Sequence, residues 1–178
     1  MCKEYCLREI ERRDIKIINS WRNDPELIDF LGAPYRFINE EVDNCWYDNY
    51  MKNRINTIRC AIVEKDKDKI LGLVSLTGID SLNQCAEFHI MIGEKKNQGL
   101  GMGTFAVKEM MNHGFFNMNL QRIELSVLRE NKRAIHLYEK CGFLYEGCKK
   151  KARYKNGKFV DLLMYAILRE ECCNTSKK

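Results

Sequence analysis

The stretch Gly93-Glu94-Lys95-Lys96-Asn97-Gln98-Gly99-Leu100-Gly101-Met102-Gly103-Thr104 narrows the choice of folds more than any other part of the chain. Just before it, Ala86, Phe88, Ile90 and Ile92 alternate with Glu87, His89 and Met91, the two-residue period of a strand with one apolar face. Just after it, Val107, Met110, Met111 and Gly114 fall on one face of a helix, expected from about Thr104 to Phe116. Glycines between a strand and a helix let several backbone N–H groups turn inward, and the helix start adds its positive dipole end. Such a loop suits a pyrophosphate.

Several kinds of glycine loop share that outline. A phosphate loop of the Walker type ends in Gly-Lys-Ser/Thr, whereas here Thr104-Phe105 follows Gly103. A dinucleotide fingerprint needs a third glycine where Thr104 stands. Glu124, about 20 residues on, keeps that reading open as an alternative. A glycine turn that binds nothing is the remaining one.

The rest of the chain limits the surroundings of the loop. With 178 residues, 45% hydrophobic and 31% charged, it is read as a single globular domain spanning 1–178, its core about 7–169. After a short strand near Leu7 to Ile10, Asp24-Pro25 and Asn39-Glu40-Glu41 are helix starts, so two or three helices fill Asp14 to Tyr50. Runs at Thr57 to Glu64, Ile70 to Ile79 and Gln84 to Ile92, joined by short turns, predict an antiparallel meander. Beyond the glycine loop come a strand at Arg122 to Val127, a helix begun by Asn131 and stopped by Gly142, and strands at Phe143 to Cys148 and Phe159 to Ile167. Asn156-Gly157 marks the hairpin before the last of these.

Charge and cysteine content exclude some functions. The net charge of +5 is mild and the longest basic run is Lys149-Lys150-Lys151, which argues against nucleic-acid binding. Nine cysteines, an odd number without a CxxC pair, argue against a disulfide framework or a zinc site and for reduced thiols. The N-terminus has charges where a signal peptide needs an apolar core, and no stretch is long and apolar enough for a membrane span. A cytoplasmic protein with no membrane partner is expected.

Two motifs in order carry a resemblance. Gln98-x-x-Gly101-x-Gly103 resembles the pyrophosphate motif of the GCN5-related N-acetyltransferase (GNAT) family, and about 30 residues on, Asn131 to Phe143 resembles that family's second cofactor motif. Ala86-Glu87-Phe88 and Asn156-Gly157-Lys158-Phe159-Val160-Asp161 resemble phrases of the subgroup holding ribosomal-protein and spermidine N-acetyltransferases. The resemblance implies an α+β fold with a mixed, mainly antiparallel sheet of six or seven strands, a V-shaped opening between strands four and five, and helices on both faces. It also implies acetyl-CoA as co-substrate, no metal, and direct attack by an amine in a ternary complex. Acceptors in that subgroup include protein N-termini, polyamines and amino sugars or aminoglycosides, and a homodimer stays open. For a polyamine, Glu40, Glu41 and Asp43 offer cleft carboxylates, and an exposed helix start explains them equally well.

By the same resemblance, main-chain groups near Met91 and Ile92 hold the pantetheine arm, while Gln98, Gly99, Leu100, Gly101, Met102, Gly103 and Thr104 hold the pyrophosphate. Asn131 matches a cofactor-contacting asparagine, and a plain helix cap explains it as well. Tyr138 matches the tyrosine that protonates the departing thiolate, as expelling a CoA anion requires; otherwise it is a packed core residue. The attacking amine must also lose a proton, and Glu87 is the first candidate base, with His89 and Asp161 as others. A non-catalytic acetyl-CoA sensor is the alternative to an enzyme.

Overall fold

The computed structural model describes residues 4–175, apart from 66, 95, 96 and 98. Seven strands form one sheet: β1 (Tyr5–Glu9), β2 (Thr57–Glu64), β3 (Lys69–Asp80), β4 (Cys85–Ile92), β5 (Arg122–Leu128), β6 (Leu144–Lys155) and β7 (Lys158–Leu168). Their spatial order is β1-β2-β3-β4-β5-β7-β6. The expected meander is β2-β3-β4, and all neighbours run antiparallel except β4 and β5. That parallel pair is short: Cys85, Ala86 and Glu87 face Arg122, Ile123 and Glu124, and beyond Glu87 the strands part.

Helices cover both faces. The helices α4 (Met102–Asn112) and α5 (Lys132–Lys140) lie over a core that includes Leu76, Phe88, Met110, Phe115, Ile123 and Phe143. On the opposite face α1 (Ile15–Arg22) and α3 (Glu40–Lys52) bring Ile15, Ile18, Trp21 and Tyr50 against Ala61 and Val63. The two-residue strand period sorts β2 between the layers, since Ile62 belongs to the first cluster and its neighbours to the second. Between α1 and α3 lies a short helix, α2 (Pro25–Asp29), started by Asp24, whose side chain accepts from Glu26 and Leu27 N–H. A C-terminal helix, α6 (Arg169–Thr175), completes the chain as described.

Two elements differ from the periodicity. The α4 helix begins two residues earlier than expected and hands over at His113–Asn117 to a wider π-helical turn, so the coil reaches the expected end with a different pitch. Strand β6 continues past Cys148 to Lys155, through a register shift between Lys149 and Arg153 and a left-handed Lys151. Lysines conceal that extension because β6 is an edge strand, where charged side chains face water and no apolar alternation is needed. No described helix is long and apolar enough to cross a membrane.

Candidate active site

Where β4 and β5 part, a cleft of about 1200 Å³ opens, and the glycine loop forms one end of it. Gly99 and Gly101 hold φ of 81° and 82°, a region costly for any side chain, and among the described residues a Cβ built on either would meet nothing within 4 Å. Gly101 is therefore the left-handed start of α4, and Phe105 N–H already bonds back to its carbonyl at 3.0 Å. Asn97 is 5% exposed, and its buried Nδ2 has no hydrogen-bond partner among the described residues. An unsatisfied donor beside a helix N-terminus fits an anionic ligand, and Lys132, Arg133 and Lys140 line the same cleft.

The expected cofactor residues separate by position. Gly99, Gly101, Gly103, Thr104, Met91, Ile92, Asn131 and Tyr138 line the cleft. Met102 instead turns into the core at 1% exposure, and Leu100 points to solvent at 50%, so any contact from these two is through their main chain. Gln98 lies outside the described residues. Gly93, just after β4, has no room for a side chain, because a Cβ there would stand 2.0 Å from the Trp21 ring. The indole thus seats α1 against the root of the loop.

Further along the opening, Glu87 and His89 project from one face of β4, with Glu87 Oε2 3.6 Å from His89 Nε2. Ser126 Oγ on β5 donates to Glu87 Oε1 across the gap at a long 3.4 Å. His89 Nε2 shares a 2.9 Å hydrogen bond with Thr77 Oγ1. Desolvation lowers the pKa of His89; Glu87 opposes that shift and Arg59 adds to it, so the ring is neutral at pH 7 and able to accept a proton. Tyr138 is 6% exposed and packs its ring against Phe88 and Phe143, with centroids 6.2 and 5.9 Å away. Burial raises its pKa, and Cys141 raises it further, so the phenol stays protonated.

The chain from Asp24 to Pro34 roofs the cleft and is tied down from far along the sequence. Lys155 Nζ donates to the carbonyls of Ile28, Leu31 and Ala33 at 2.6, 2.9 and 3.1 Å. Asn156 Nδ2 donates to Asp29 Oδ1 at 2.6 Å. Asn131 does two things at once: its Oδ1 caps α5 by accepting from Ala134 N–H at 3.1 Å, and its Nδ2 donates to Phe30 O at 2.9 Å. Lys155→Met is expected to destabilise the protein by about 2 to 4 kcal/mol, because three carbonyls lose one donor together. Denaturant melting measures this, and an unchanged midpoint would mean that water replaces the ammonium.

Other expected carboxylates lie elsewhere. Asp161 pairs with Arg129 at 3.1 Å and accepts from Lys151 N–H at 2.8 Å, outside the cleft lining. Asp43 is fully buried, paired with Arg22 and accepting from Asn19 Nδ2 at 2.7 Å, and neither Glu40 nor Glu41 lines the cleft. Sequence reasoning missed the roof, Ser126 and Arg59, whose placement depends on strand register and on contacts more than 100 residues apart. For Arg59 the one available signal was its place as a cation between Ile58 and Cys60, inside the run Ile58 to Val63 whose other members are apolar.

Comparisons agree with this geometry. The acetyltransferase (GNAT) domain family matches residues 5–144. Spermidine N(1)-acetyltransferase of Vibrio cholerae is 30% identical over 178 residues, covering 99% of this chain and 100% of its own. The Escherichia coli enzyme of the same name is 32% identical over 166 residues, 93% of this chain and 86% of its own. Among solved structures, spermidine N-acetyltransferase from Vibrio cholerae in complex with CoA and spermine superposes with a TM-score of 0.89 at 27% identity, covering 96% of this chain and 98% of that one. This chain therefore belongs to the GNAT acetyltransferase family, acyltransferases that move an acetyl group from acetyl-CoA to an amine.

Proposed function

We propose that this chain, a single cytoplasmic domain, acetylates the primary amine of a small molecule by direct attack in a ternary complex, with Glu87 as base and Tyr138 as acid. The observation that carries the reading is one cleft that holds the glycine loop at one end, Glu87 and His89 on its β4 lip, and the Tyr138 ring where the strands part. Acetyl-CoA supplies an activated acetyl group. Gly99 to Thr104 and Asn97 hold its pyrophosphate, and Asn131 braces the cleft beside it. The open edge of β4 at Met91 and Ile92 offers main-chain groups to the pantetheine arm. Glu87 removes the proton that keeps the incoming amine from attacking, with neutral His89 beside it to share the charge. Tyr138 then gives its proton to the sulfur; the desolvation that raises the phenol's pKa also raises the proton affinity of the leaving thiolate. The free thiols of the described cysteines fit a reducing cytoplasm.

Release of CoA from acetyl-CoA, measured with spermidine, an aminocarboxylate, an amino sugar and an N-terminal peptide, tests the proposal. At least one small amine is expected to turn over, and Glu87→Gln is expected to lower kcat/KM by about 10². Binding of acetyl-CoA without turnover of any amine would make the chain a sensor. Faster turnover of the peptide than of every small amine would move the acceptor to protein N-termini.

A further inference from the structure

We infer, on the basis of that reading, that Arg59 selects the acceptor: the amine carries a carboxylate several bonds from its nitrogen, and the Arg59 guanidinium binds it. Strand register places Arg59 opposite Ser75 and Ser75 opposite His89, so the three stand in one row across β2, β3 and β4. Adjacent strands are about 4.8 Å apart, which sets Arg59 roughly 10 Å from the His89 backbone. Trp46, Arg59, Leu73, Ser75, Glu87 and His89 all line the cleft. The row therefore runs from the proton-accepting pair to the cation along one wall.

Arg59 is held as a binding group is held. Its guanidinium lies 5.0 Å from the Trp46 ring centroid and 5.8 Å from that of Tyr50, which fixes its plane. Its Nε is buried with no hydrogen-bond partner among the described residues. Carboxylates on the neighbouring elements are engaged elsewhere: Glu9 by Arg54 and by Tyr50 O–H at 3.0 Å, and Asp43 by Arg22 and Asn19. Burial lowers the pKa of Arg59, and Arg22 adds to that effect while Tyr50 opposes it, yet a guanidinium stays charged at neutral pH. A partly buried cation with no counter-ion among the described residues is costly, and a carboxylate from the ligand relieves it by bonding two N–H groups at once. The second ammonium of a linear diamine would meet like charge at the same place.

The test compares ω-aminocarboxylates of three to six carbons with diamines and alkylamines of equal length, reading kcat/KM from CoA release. In the wild type the best aminocarboxylate is expected to exceed the matching diamine by about ten- to a hundredfold, the usual effect of a hydrogen-bonded charge. Arg59→Gln should erase most of that ratio and Arg59→Lys should retain part of it. Preference for the diamine, or an unaltered ratio in a well-folded Arg59→Gln, overturns the inference. Turnover of alkylamines with no charge preference overturns it too and leaves the acetyl-transfer reading standing. Should no amine release CoA, that underlying reading fails and this one with it. The wild-type series alone decides the matter if the variants do not fold.

Discussion

Gly101→Glu is expected to lose acetyl-CoA binding by at least about a hundredfold while the fold survives. Two effects act at one atom. Gly101 holds φ of 82°, and a side chain there costs about 1–2 kcal/mol wherever it points. Such a cost lowers the melting temperature by only a few degrees in a chain of this size. The carboxylate then stands in the space open around Gly101, at the N-terminus of α4, where the anion would sit. Gly101→Ala separates the terms, since it carries the strain without the charge and should bind far better than the glutamate. Calorimetric titration with acetyl-CoA measures both, and equal affinity in Gly101→Glu and the wild type would remove the pyrophosphate role of the loop.

Tyr138→Phe is expected to lower kcat by about 10² to 10⁴, the range for losing a general acid. Phenylalanine keeps the ring between Phe88 and Phe143, so the core and the melting temperature should change little. Affinity for acetyl-CoA should fall by less than about tenfold, because at most one hydrogen bond is removed. Retained kcat would leave Tyr138 as packing, with the proton coming from water. A joint collapse of rate and affinity would make it a binding residue.

How much of this was legible in the sequence depends on the range of the interactions. The meander, the glycine loop, the Asn131 cap and the Asn156-Gly157 hairpin were readable because each is set by residues within a few positions. The alternation along β4 also put Glu87 and His89 on a shared face, as found. What stayed hidden was set across the sheet. Arg59 joins His89 only through the registers of two strand pairs, and nothing local in Lys155 signals the three carbonyls it serves. Asp43 looked like an exposed helix-start acid, yet α1 supplies Arg22 and Asn19 to bury it. In α4 the period was right and the pitch was not, because a π turn alters the spacing of hydrogen bonds without altering the residues that face the core.

The order of the sheet bears on how this protein is made. Strand β7 lies between β5 and β6, so the latest of the seven strands to leave a ribosome is the one that joins the other two. Until it arrives, β5 offers an unfilled edge and β6 has no neighbour, and the turn bearing Lys155 and Asn156 cannot clamp the segment around Ile28. Residues synthesised first thus wait for the final hairpin before the cleft has its ceiling. Such long-range closure slows folding and leaves a nascent intermediate prone to pair with other chains. A growing polypeptide can thus assemble the β2-β3-β4 meander and the glycine loop well before its cleft is roofed, so enclosure of the cleft is the feature this molecule acquires last.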